Sequence, residues 1–178
     1  MSNVMSFGIN PIVLSLKLVF AGSLFLAVIS LGCSRNTYEM MSESMSPTLN
    51  PGDKVQVDTR YFTSNEPERF DVVAFIPPRY ADQVWVMRIV GMPGEIIEFF
   101  DDHIEVNGTR LILPDTINYQ REVDKSSYNQ LAFYVRSEGF RVPEESYFFL
   151  GDNMAQANDS RFVGPIRRQN IIGLVIFE

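Results

Sequence analysis

The sequence predicts an all-β body of antiparallel strands behind one N-terminal membrane-spanning helix. Three observations carry this reading. Beyond residue 34, apolar residues come in short runs rich in β-branched and aromatic side chains, without a sustained helical period. Clusters of Gly, Pro, Asn and Asp punctuate those runs. Residues 11–33, in contrast, form a long apolar stretch whose single charge is Lys17.

The elements follow in chain order. Residues 18–32 are 15 uncharged, mostly apolar positions. A spanning helix needs about 20 residues. The length is reached if Lys17 snorkels into the headgroup layer. Lys17 on the N-terminal side favours an N-in, C-out orientation. A cleaved signal peptide is the alternative for this stretch. Lipidation at Cys33, after Gly32, is another. Residues 1–34 are therefore expected to be an anchor and residues 35–178 a β domain.

In that domain, residues 55–57 alternate after the turn-former Pro51-Gly52-Asp53. Residues 71–76 are a β-branched run stopped by Pro77-Pro78, and residues 84–90 are a strand ended by Gly91-Met92-Pro93-Gly94. Residues 95–100, 104–106 and 111–113 read as a meander. Its turns fall at Asp101-Asp102-His103 and at Asn107-Gly108, the latter a strong hairpin signal. Residues 147–150 and 171–177 complete the set. Residues 114–146 are polar and weakly patterned, and are expected to be an excursion from the β core. Short strands without intervening helices imply an open or barrel-like antiparallel sheet.

Composition narrows the function. Hydrophobic residues make up 46% and aromatic residues 12%, enough for a packed core. The 15 basic against 22 acidic residues give a net charge of −7, which argues against a nucleic-acid partner. One cysteine and one histidine leave no zinc site of the usual kind. No metal and no cofactor is expected.

Four segments go beyond pattern. They are Ser42-Glu43-Ser44-Met45-Ser46-Pro47-Thr48-Leu49; Gly52-Asp53-Lys54-Val55 with Arg69-Phe70-Asp71-Val72-Val73; Met87-Arg88-Ile89-Val90-Gly91-Met92-Pro93-Gly94-Glu95; and residues 151–161, which open Gly151-Asp152-Asn153 and close Asp159-Ser160-Arg161. Their order and spacing behind an apolar N-terminal stretch resemble the type I signal peptidases. The resemblance implies a signal-peptidase-like antiparallel β catalytic domain, held by lipid contact of the anchor at the cell (inner) membrane on its extracytoplasmic side. It implies a serine endopeptidase that removes signal peptides from exported proteins.

In that family a serine is the nucleophile and a lysine is the general base. Ser44 matches the serine. A hydroxyl becomes a useful nucleophile only when a base takes its proton. Ser42 matches a hydroxyl that helps hold the oxyanion, with the Ser44 N–H as the other donor. The lysine position, immediately before Arg88, is Met87, which has no basic group. A branch of the family carries histidine there, but the single histidine, His103, falls in a predicted turn. Bacterial members commonly carry a serine that orients the lysine, and that position is Ala157. Arg88, Ala157, Asp159, Ser160 and Arg161 match supporting positions, and an Asp–Arg pair suits a loop-holding role. Of the other lysines, Lys17 lies in the anchor, Lys54 at a strand start and Lys125 in the polar excursion. Ser44 and Met87 are expected to be neighbours.

Two readings remain open. One is a signal peptidase acting through Ser44. The other is an inactive homologue that binds exported polypeptides or assists surface assembly without cutting. An extended peptide adds to a sheet edge by backbone pairing, which needs no lysine. Ten residues separate Cys33 from Ser44, so both readings keep the cleft near the membrane surface.

Overall fold

The structure, a computed structural model, describes residues 35–119 and 139–177. The expected anchor, Lys17, Cys33 and Lys125 lie outside the described residues. Among those described, no helix is long and apolar enough to cross a membrane.

Among the described residues, eleven strands form two antiparallel sheets. In chain order they are β1 (Arg35–Glu39), β2 (Lys54–Asp58), β3 (Val72–Phe75), β4 (Trp85–Gly91), β5 (Ile96–Phe99), β6 (Ile104–Val106), β7 (Thr109–Arg110), β8 (Phe140–Arg141), β9 (Ser146–Leu150), β10 (Ile166–Arg167) and β11 (Ile171–Ile176). The larger sheet runs β1-β2-β11-β3-β4-β9-β10, and the smaller β7-β6-β5-β8.

The alternation of side chains explains where each strand sits. In β2, Val55 and Val57 are buried while Lys54 is exposed, so one face meets the core and the other meets water. Strand β9 has no exposed face. Tyr147 and Phe149 enter one core cluster, with Val73, Phe75 and Met87; Phe148 and Leu150 enter the other, with Ile97 and Ile104. A strand buried on both sides reads as a continuous apolar run, as residues 147–150 do. Phe75 stacks on Phe149 with ring centroids 4.6 Å apart, tying β3 to β9.

The hairpin at Asn107-Gly108 forms between β6 and β7. Both residues have positive φ, 52° and 74°, the geometry that a two-residue turn of this hand requires. That turn starts the ladder at Thr109, so residues 111–113 are not the strand that their apolar character predicts. The Leu111 N–H still donates to the Ile104 carbonyl at 2.8 Å. Leu111 and Leu113 then turn toward the smaller sheet's core, and Ile112 is left exposed.

The described ends of residues 114–146 also belong to the body. Ile117 and Val142 are buried, and β8 pairs with β5. His103 sits in its expected turn, but it is engaged there. Nδ1 lies 2.7 Å from Asp102, Nε2 lies 3.2 Å from Glu105, and the ring stacks on Phe100. The hydrogen bond to Asp102, then that to Glu105, raises its pKa above the ordinary 6.5.

Candidate active site

Ser44 occupies a one-turn 3-10 helix, Glu43–Met45, directly after the extended residue Ser42. The turn is anchored from below by Met45, which is fully buried, and Ser44 is itself nearly buried. The hydroxyl oxygens of Ser42 and Ser44 lie 3.0 Å apart, within hydrogen-bond reach.

Three further contacts fix this loop. The Asn153 N–H donates to the Ser44 carbonyl at 3.0 Å. The Thr48 hydroxyl donates to the Asp152 carboxylate. The Met40 N–H reaches the Asp53 carbonyl at 2.9 Å and the Gly52 N–H returns to Met40 at 2.8 Å, closing the loop at its base.

Asp152 is the site residue that the sequence did not reveal. In the sequence Asp152 is only part of the opening of the 151–161 segment, whereas its side chain is fully buried and takes a bidentate pair from Arg88. The guanidinium donates Nε at 2.8 Å and Nη2 at 2.6 Å, and its Nη1 donates to the Phe70 carbonyl at 3.0 Å. Arg88 thus links β4 to the serine loop through Asp152 and Thr48. A planar fork against a carboxylate fixes orientation as well as charge.

The Asp159–Arg161 pair lies beside this network. Arg161 donates Nε at 2.8 Å and Nη2 at 2.9 Å to the carboxylate, and Nη2 also reaches the Met154 carbonyl at 2.6 Å. Asp159 caps the short helix α1 (Ser160–Val163), which the sequence reading missed, by accepting the Arg161 N–H at 3.1 Å. Its second oxygen accepts the Gly151 N–H at 3.2 Å. Ser160 faces the sheet instead, its hydroxyl accepting the Phe149 N–H at 2.9 Å.

Gly151 is where the two frameworks meet the serine loop. A Cβ built there lies 2.4 Å from the Ser44 carbonyl oxygen and 2.4 Å from the Ala157 Cβ. Backbone cannot yield that much without moving Ser44. Gly151→Ala is therefore expected to cost roughly 1–3 kcal/mol, the usual price of overpacking. Chemical denaturation checks the loss.

Met87 is buried on β4, in register with Val73 of β3. Ser44 and Met87 line one cleft of about 600 Å³, together with Tyr38, Met40, Met41, Ser42, Trp85, Val86, Gln156 and Asn158. Ala157, between the last two, is fully buried and packs toward Gly151. The titratable side chains among the lining residues are Tyr38 and Glu39. His103 is not among them. Lys54 begins β2, exposed and opposite Glu39. No group of three or more His, Cys, Asp or Glu side chains among the described residues is arranged to hold a metal.

The family model of signal peptidase, peptidase S26, matches residues 13–178. The chain belongs to the type I signal peptidase family. Signal peptidase I V of Bacillus subtilis (strain 168) is 33% identical over 140 residues, which are 78% of this chain and 82% of that one. Signal peptidase IB of Staphylococcus aureus (strain Mu50) is 32% identical over 146 residues, 79% of this chain and 75% of that one. Among solved structures, a signal peptidase I from Enterococcus faecalis V583 superimposes with a TM-score of 0.50 at 32% identity. The match covers 63% of this chain and 98% of that one. The mostly antiparallel β body described above matches the signal peptidase β domain.

Proposed function

We propose that the cleft receives the cleavage region of signal peptides on exported polypeptides, held extended along residues 38–42 and 84–87, with Ser44 as the nucleophile. The observation that carries this reading is the placement of Ser44, 3.0 Å from the Ser42 hydroxyl, on the wall of a peptide-sized cleft. In this reading Ser42 and the Ser44 N–H steady the oxyanion. Met87 stands where the family has its lysine, so the described residues supply no strong base and turnover is slow.

A second reading is favoured by Met87 itself. A buried thioether on the cleft wall suits apolar contact, so the domain holds exported chains or assists surface assembly without cutting them. Both readings require peptide in the same cleft. Trp85, the chain's single tryptophan, is on the wall and reports occupancy. Titration with a synthetic peptide spanning the cleavage region of an exported preprotein should shift Trp85 emission saturably to the blue. A peptide that binds without perturbing Trp85 contradicts both readings.

Family membership further supports a membrane location with the β domain outside the cytoplasm. Residues 11–33 serve as the anchor in this proposal. The full-length protein should stay in the membrane pellet on alkaline carbonate extraction, and release of a shortened soluble form would contradict it.

A further inference from the structure

Six methionines fall within the described residues, and their access to solvent differs sharply. Met45 and Met154 are fully buried, Met87 is 4% and Met40 6% exposed, and Met92 is partly buried against the larger core. Met41 is 85% exposed. It is also on the cleft wall, immediately before Ser42. Among the described residues, the most exposed thioether is thus the one that an occupant of the cleft must pass. Oxidation of methionine follows access, and it turns an adaptable apolar side chain into a polar, chiral one.

We propose that Met41 is a modification site that controls the cleft: oxidants of the peroxide class convert it to the sulfoxide, and the sulfoxide weakens the hold on peptide. In the step, the thioether sulfur attacks one peroxide oxygen. The S–O bond forms as the O–O bond breaks, and the departing hydroxide takes the proton from the oxygen now on sulfur, giving water and the neutral sulfoxide. Sulfur loses two electrons and the peroxide gains them. Methionine sulfoxide reductases reverse the change. Met40, Val84, Trp85, Val86 and Met87 give the wall an apolar part, and a new oxygen on Met41 must be desolvated when peptide covers it. The effect on binding rests on the reading of this cleft as a peptide site, whereas the site of oxidation does not.

The test treats the full chain in detergent micelles with limiting hydrogen peroxide. Tandem mass spectrometry should find Met41 oxidised before Met40, Met45, Met87, Met92 and Met154. Peptide affinity, read from Trp85 emission, should fall by about tenfold, the scale of one poorly compensated polar group. Sulfoxide reductase should restore it. Met41→Leu, compared before and after its own peroxide treatment, should change less than about twofold, well below that tenfold step. Oxidation of Met92 or a buried methionine ahead of Met41 overturns the site. An equal loss in the Met41→Leu protein overturns the control of binding. A protein that binds no peptide before oxidation refutes the peptide reading and the control with it, and the order of oxidation still decides the site.

Discussion

Asp159→Ala is expected to destabilise the β domain by roughly 3–5 kcal/mol, the cost of breaking a buried ion pair by removing one partner. The carboxylate accepts from Arg161 Nε and Nη2 and from the backbone N–H groups of Arg161 and Gly151. Arg161 is 2% exposed, so its guanidinium cannot turn to water when the carboxylate goes. The helix cap is lost in the same substitution. For a chain of this size each kcal/mol moves the melting temperature by roughly 2–4 °C. The solvent-exposed pair of Arg110 with Asp102, 3.4 Å apart, is the contrast. Arg110→Ala should cost under about 1 kcal/mol. Thermal melts of the two variants check the difference. Because Gly151 touches the serine loop, Asp159→Ala should also disturb Ser44.

The same residues show how much could be read from the chain. The Asp159–Arg161 pair is two positions apart in one motif, so its partnership was visible. The Arg88–Asp152 pair spans 64 positions, and nothing local marks Asp152 as more than a turn residue. The strands at 55–57, 104–106 and 147–150 were legible from alternation or continuous burial, and the Asn107-Gly108 turn from its need for positive φ. Strand β1 was not, because Arg35–Glu39 is mostly polar and pairs as an outer strand along β2. Strands β8 and β10 have two residues each, too few for a period. At 111–113, composition suggested a strand, but the turn fixed the pairing two residues earlier. Ser44 and Met87 were found through motifs. The need for glycine at 151 comes from the approach of a distant loop, which no local pattern encodes.

Met87→Lys with Ala157→Ser is expected to raise Ser44-dependent cleavage of a preprotein by roughly 10²–10⁴-fold, the range that a positioned general base contributes. Met87 is buried, so a lysine there is desolvated and its pKa is pushed down toward the range where it accepts a proton. An unoriented amine does little of this work. Met87→Lys alone should therefore give only a small part of the gain, and Ala157→Ser alone none. The combined effect should exceed the sum of the separate free-energy changes, as for groups acting as one unit. Ala157 packs toward Gly151, so the added hydroxyl also tests how much room that contact leaves.

In the proposed function this cleft is a signal peptidase site whose nucleophile stands without a strong base. The most direct measurement is the initial rate of cleavage of one generic preprotein by the unmodified protein, by the Met87→Lys/Ala157→Ser protein, and by each with Ser44→Ala. The expected result is slow cleavage by the first, faster cleavage by the second at the same bond, and loss of both with Ser44→Ala. Rapid, Ser44-dependent cleavage by the unmodified protein would contradict the claim and would make Lys125 the first residue to replace.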